Sequence, residues 1–235
     1  MSDARALLLI ADIGGYTKYM SLHRSALGHA EATTARLLKK VVEAARGFEL
    51  VEIEGDAAFL SRAAEGQADA VATTTQAAVA MHRAFHAEQR AVTSNICPCD
   101  ACHSAADLTL KFVAHLGEVA TQKIKRRSKL VGIDVIHVHR MLKNPVSVAE
   151  YVLVSEALYR SDTSALPEPV HEIEQDLEGI GLARGYFVEV EALAGPLSDL
   201  PEPSLGHRLG ATLSILGRGL PYMLRLRRTQ LAPAD

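Results

Sequence analysis

Apolar positions gather early in short blocks. Residues 7–11 (Leu-Leu-Leu-Ile-Ala) are continuously apolar, close on Asp12, and give way to Gly14-Gly15. An apolar run this short, ended by a glycine break, predicts a strand buried on both faces. Asp12 then falls where the strand emerges, and the glycines let backbone approach whatever the acid holds. Residues 50–60 (Leu-Val-Glu-Ile-Glu-Gly-Asp-Ala-Ala-Phe-Leu) repeat the theme as a hairpin, with strands over 48–53 and 57–61 that meet at Gly55-Asp56. Asp56 stands at the hairpin tip, where pairing with the first strand brings it beside Asp12. Two carboxylates at one sheet end are a natural seat for Mg²⁺ or Mn²⁺. The plainer alternative makes Asp12 a helix cap and Asp56 a turn residue.

The remaining pattern alternates helix and strand. Residues 16–26 and 28–46 predict two helices, the second with a stripe at Ala30, Leu37, Leu38, Val41, Val42 and Ala45 and a stop at Gly47. Gly66 opens an Ala-rich helix that runs to about Arg90, unusual only for Thr73-Thr74-Thr75. Residues 93–106 read as a loop. Residues 107–115 read as a strand, Gly117 as a turn into 119–124, and 132–143 as a helix ended by Asn144-Pro145. A strand over 150–154 leads to Ser155, which caps a short helix over 156–159. Two further strands follow at 170–175 and 184–191. The order predicts an α+β fold, a mixed, partly antiparallel sheet with helices packed against it. This domain spans 1–192, with 93–106 as an insertion.

From Leu193 the texture changes. Gly195-Pro196 and Pro201-Glu-Pro203 mark a linker, so 193–235 reads as linker and tail. Within 205–231, Leu209, Leu213, Leu216, Leu220 and Leu224 share a helical stripe with Arg208, Arg218, Arg225, Arg227 and Arg228 nearby. Three fates stay open for it: packing on the domain or a second copy, contact with a membrane surface or partner, or disorder.

Composition narrows the classes. A net charge of −3 argues against a general nucleic-acid binder. No apolar run approaches the roughly 20 residues of a membrane span. Asp3 and Arg5 lead straight into the first strand, which reads as no signal peptide. The three cysteines all lie within 97–102, which is no secreted disulfide framework. The expectation is a cytoplasmic protein.

Six motifs in order resemble the class III adenylyl/guanylyl cyclase homology domain, over roughly residues 5–192. Leu9-Ile-Ala-Asp12-Ile-Gly-Gly-Tyr16-Thr17 is similar to its first metal motif. Glu52-Ile-Glu-Gly55-Asp56-Ala-Ala-Phe59 is similar to its Gly-Asp hairpin. Residues 110–119 resemble its Arg-x-Gly-Ile-His-Thr-Gly-Glu-Val strand, with His115 and Gly117 in place. Residues 132–142 resemble its Gly-x-x-Val-Asn-x-x-x-Arg helix; residues 151–159 and 177–190 resemble its later strand–helix and last hairpin. Within that group the chain resembles a divergent bacterial subfamily of unknown function that carries a Cys-x-Cys-x-x-Cys loop.

The resemblance implies a ferredoxin-like cyclase fold and a homodimer with its site between subunits. It implies two divalent ions (Mg²⁺ or Mn²⁺) held by Asp12, Asp56 and the backbone carbonyl of Ile13. One ion activates a ribose 3′-hydroxyl and the other holds a triphosphate. Arg140 matches the family's charge-stabilising arginine. The matching asparagine is Ile136, which cannot orient a ribose, at a cost on the order of 10²–10³ in rate. Glu52 and Lys129 stand at the base-reading positions. Glu52 suits the N1–H and 2-amino group of guanine and Lys129 its O6, so GTP is favoured over ATP. The alternative pairs Glu52 with Lys129 across the dimer interface, in a pocket that reads no base. The basic run Lys123, Lys125, Arg126, Arg127 and Lys129 serves either the triphosphate or a solvated hairpin.

Cys97, Cys99 and Cys102 with His103 favour a metal over a disulfide in a reducing compartment, and zinc wants four soft ligands. His82, His86 or a ligand from a second subunit would complete the set better than His103. A redox-responsive dithiol and inert thiols are the alternatives. His115 reads as a packed core residue, and His137 and His139 as surface or interface residues. A rival to the nucleotide-binding reading is a non-enzymatic dimeric scaffold or sensor, with the zinc loop and tail helix recruiting a partner or membrane.

Overall fold

A computed structural model describes residues 4–24, 27–64, 69–94, 100–125 and 127–223. In chain order the elements are β1 (Ala4–Gly14), α1 (Tyr16–Leu22), α2 (Leu27–Ala44), β2 (Glu49–Glu54), β3 (Ala57–Ala63), α3 (Ala70–Thr93) and α4 (Asp100–His103). A 3₁₀ turn over Ser104–Asp107 precedes β4 (Thr109–Ile124), β5 (Arg127–Val131), α5 (Ile133–Arg140), β6 (Tyr151–Ser155) and α6 (Glu156–Tyr159). The chain continues through β7 (His171–Leu177), β8 (Gly181–Glu189), α7 (Val190–Ala194) and α8 (Leu205–Met223). Two compact units share these elements. One comprises Met1–Gly14, Leu38–Phe85 and Thr109–Leu200; the other comprises Gly15–Leu37, His86–Leu108 and Pro201–Asp235.

The first unit is built on an eight-stranded sheet in the order β2-β3-β1-β4-β6-β8-β7, with β5 paired to β4 beyond that path. β4 and β6 run parallel and the other pairs antiparallel. β1 is central, with Ala6 through Ala11 and Ile13 buried, as its apolar run requires. Its register sets Asp12 opposite Ala57 of β3 and Lys111 of β4. Leu8, Ile10, Phe59, Val113 and Leu153 form a core with Val138 of α5 and Met141 just after it.

One local reading changes. β4 does not turn at Gly117: it continues through it, opposite Ala6, and on to the hairpin with β5. The glycine is there for clearance, because a Cβ would overlap the carboxylate of Asp134. The threonines of α3 fit the helix because Thr74 Oγ1 donates to the Ala70 carbonyl (2.8 Å) and Thr75 Oγ1 to the Ala72 carbonyl (3.0 Å). Ser155 caps α6 as its type predicts, accepting from the Leu158 N–H (3.3 Å).

In the second unit, polar groups are tied to backbone and to one buried acid. Tyr19 Oη donates to the Ala101 carbonyl (2.6 Å), and Gln89 Nε2 donates to the carbonyls of Ala105 (2.8 Å) and Leu108 (2.7 Å). Glu88 is buried and takes both the Arg36 guanidinium and His207 Nε2 of α8 (2.9 Å). Arg208 Nε donates to the Ser94 carbonyl (2.6 Å). The helix buries Ala211 while Leu209 and Leu213 of its leucine stripe stay exposed. Leu224, Arg225, Arg227 and Arg228 lie outside the described residues.

Candidate functional site

The sheet register assembles the aspartate pair. Asp12 is the last residue of β1 paired with β3, and the Ile13 N–H donates to the Asp56 carbonyl (3.2 Å). The Gly55 turn at φ +65° supplies the left-handed backbone that turns the hairpin back at Asp56. Burial, and then the charge of Asp12, push the Asp56 carboxyl above its ordinary range. Lys111 Nζ lies 3.1 Å from Asp12 Oδ2 and opposes that rise only in part. Two partly buried carboxylates at one sheet end, one of them raised by burial and by the charge of the other, suit a divalent cation. Hard carboxylate oxygens fit Mg²⁺ or Mn²⁺ better than softer metals. Ile13 itself is buried at this sheet end.

Glu52 and Lys129 also meet. Lys129 Nζ lies 2.9 Å from Glu52 Oε2 within one chain, so the pairing expected across a dimer interface is made inside a subunit. It joins β2 to the β4–β5 hairpin, an extension beyond β1 that brings β5 round to the β2 side. Both side chains are over a third exposed, so the pair is worth under about 1 kcal/mol and parts readily. Lys123, Lys125 and Lys129 are exposed on that hairpin. Arg140 Nη1 lies 3.1 Å from Glu178 Oε2 of the β7–β8 turn, and that is its ion pair among the described residues. Ile136 lies one turn earlier on the same helix and is 47% exposed.

A second group of side chains joins β4 to α5. His115 is buried on β4, with Nδ1 2.7 Å from Ser155 Oγ and Nε2 2.9 Å from Asp134 Oδ1. Asp134 Oδ2 accepts from the Glu118 N–H (2.7 Å). The His137 ring lies against His115, with centroids 4.4 Å apart and planes tilted by 31°. Burial and the neighbouring imidazole lower the His137 pKa to about 4, and burial lowers that of His115. His139 puts Nε2 3.1 Å from Glu54 and its ring edge against Phe59, at 4.8 Å and 72°. His115 is thus a packed residue, as expected, but with both nitrogens engaged; the half-buried His137 ring packs on His115, and the half-buried His139 reaches Glu54. The sequence signal for this group was present as Asp134-Val-Ile-His137, an acid and an imidazole on one helical face.

The cysteine loop is only partly visible. Cys97 and Cys99 lie outside the described residues, and Cys102 is buried on α4. His82 Nε2 is engaged with Glu150 (2.9 Å), which also accepts from the Leu110 N–H (2.8 Å). His86 Nδ1 is engaged with Gln89 Oε1 (2.7 Å).

Comparison with known proteins gives three findings. The model of a family described as "Protein of unknown function (DUF2652)" matches residues 34–151. An uncharacterized protein of Mycobacterium tuberculosis, Rv2561/Rv2562, is 34% identical over 194 residues, which cover 83% of this chain and 90% of that protein. Among solved structures, the adenylyl cyclase CyaB from P. aeruginosa superposes with a TM-score of 0.58 at 14% identity, over 80% of this chain and 95% of that one. The guanylate cyclase domain of RhGC from Catenaria anguillulae, solved in complex with GTP, superposes with a TM-score of 0.60 at 18% identity, over 80% of this chain and 98% of that one. At such identities the likeness shows the fold: an α+β cyclase domain. No helix among the described residues is long and apolar enough to cross a membrane.

Proposed function

This chain belongs to the DUF2652 family, and we propose that it is a divergent class III nucleotidyl cyclase-like protein that binds a divalent cation and a nucleoside triphosphate at a homodimer interface. The observation that carries the reading is the meeting of Asp12 and Asp56 at one sheet end, where burial and the charge of Asp12 raise the Asp56 carboxyl. Asp12, Asp56 and the carbonyl of Ile13 would hold Mg²⁺ or Mn²⁺, which would supply charge for triphosphate oxygens and acidify a ribose hydroxyl.

The protein's own groups do the rest. Glu52 and Lys129 exchange their mutual ion pair for the edge of a base, and the carboxylate and ammonium favour guanine. Arg140 leaves Glu178 for phosphate; that pair is exposed on the Glu178 side and weak. Ile133, Ile136, Leu50 and Ile53 are large apolar side chains left exposed on this unit, in keeping with a second copy of the chain as their cover. Turnover is slow, because Ile136 offers the ribose no hydrogen bond.

The rival is a non-enzymatic dimeric scaffold. It draws on Ile136 and on the engagement of Arg140 by Glu178, and it leaves zinc binding to Cys97, Cys99 and Cys102. Incubation with Mn²⁺ and each of ATP, GTP, CTP and UTP, followed by mass spectrometry, separates the two. A cyclic nucleotide, GTP-derived first, that disappears in an Asp12→Ala/Asp56→Ala variant supports the cyclase-like reading. A folded dimer that binds none of the four contradicts it and leaves the scaffold.

A further inference from the structure

The group between β4 and α5 carries more chemistry than packing needs. His115, Asp134 and His137 each offer one ligand atom, and these atoms lie within 4.8 Å of one another. Asp134 and His137 are three residues apart on α5, so both project toward β4 from one helix face. The chain has cleared the seat: the hydrogen of Gly117 is what leaves room for the Asp134 carboxylate. That carboxylate is already aimed, one oxygen held by the Glu118 N–H and the other turned to His115. His137 Nε2 is buried with no hydrogen-bond partner. A buried polar nitrogen left unsatisfied is costly and calls for an explanation such as an ion.

We propose that His115, Asp134 and His137 form a binding site for a first-row transition-metal ion, Zn²⁺ foremost, that clamps α5 to β4. Two imidazoles and one carboxylate are a ligand set for zinc rather than for Mg²⁺. Bonds of about 2.0–2.1 Å in a tetrahedron put ligand atoms roughly 3.4 Å apart, so side-chain shifts of about an ångström close the set. The outer contact is in place: with Nε2 of His115 on the metal, Nδ1–H donates to Ser155 Oγ, itself fixed as the cap of α6. A fourth position remains for water or a further ligand. The ion would hold the helix that bears Ile136 and Arg140, and it is distinct from the cation at Asp12 and Asp56. The inference does not rest on the nucleotide-binding reading.

The full chain, stripped with a chelator, is titrated with Co²⁺ and followed by visible absorption and calorimetry. The expected result is a d–d spectrum without sulfur-to-metal charge transfer, unchanged in Cys97→Ser/Cys99→Ser and in Asp12→Asn. Affinity falls at least about tenfold in His137→Ala, with the circular dichroism of the parent retained. Asp134→Asn should fall likewise, but it also removes a structural acceptor, so His137→Ala decides. Absence of the spectrum in the folded parent, or its survival in folded His137→Ala, overturns the proposal.

Discussion

The two carboxylate sites of the first unit are built on the same central strands and are balanced in opposite ways. At the Asp12–Asp56 end Lys111 pairs with Asp12, while burial and the charge of Asp12 still raise the Asp56 carboxyl. Between β4 and α5, Asp134 has a donor on each oxygen and His115 a partner on each nitrogen, while His137 Nε2 is buried without a hydrogen-bond partner. The first arrangement gains from any hard cation, which relieves repulsion already present. The second gains only from a metal that bonds imidazole well enough to displace an existing hydrogen bond. Burial and carboxylate charge set the first site, and shape and ligand type set the second.

The strongest way to break this contrast is steric. Gly117→Val fills the space of the Asp134 carboxylate, and about 3 kcal/mol of stability should be lost in urea unfolding, together with the Co²⁺ signal. Mn²⁺-induced protection at Asp12 and Asp56 should persist wherever the variant is still folded. A Gly117→Val protein as stable as the parent would mean that α5 sits elsewhere.

The pH dependences should differ in sign. His137 has a folded pKa of about 4 against an ordinary 6.5, so the unfolded chain binds the extra proton between those values. Stability is therefore fully present above about pH 6.5 and falls as the pH drops toward 4. His137→Asn should flatten that slope in a melting series, and an unchanged slope would assign it to other groups. Asp56 is shifted upward, so the favourable contribution of its protonated form is present at low pH and lost as pH rises through the folded pKa. Asp56→Asn should accordingly raise the melting temperature at pH 7 without divalent ions and abolish the further rise that Mn²⁺ gives the parent.

The smallest effect belongs to Glu52. Glu52→Gln should change stability by less than about 1 kcal/mol, because its pair with Lys129 is exposed. Competition between GTP and ATP should nevertheless shift toward ATP. No shift in preference would place the base elsewhere.

Much of the first contrast was legible in the chain. The apolar run ending at Asp12 and the turn at Gly55-Asp56 are local signals, and antiparallel pairing of neighbouring strands brings their ends together. The fold class followed from the order of elements. The β4–α5 group was less visible because its partners are joined through the sheet and helix packing rather than through one local motif. Gly117 was misread for the same reason: a glycine that clears space for a distant side chain looks, along the chain, like a turn. Glu52 and Lys129 were identified as a pair, but the subunit that supplies each could only come from the course of β5.

Calorimetric titration of Mn²⁺ into the parent, Asp12→Asn, Asp56→Asn and His137→Ala proteins tests the central claim most directly. The account predicts binding in the parent, its loss in either aspartate variant, and its retention in His137→Ala. Unchanged Mn²⁺ affinity in the folded aspartate variants would contradict it.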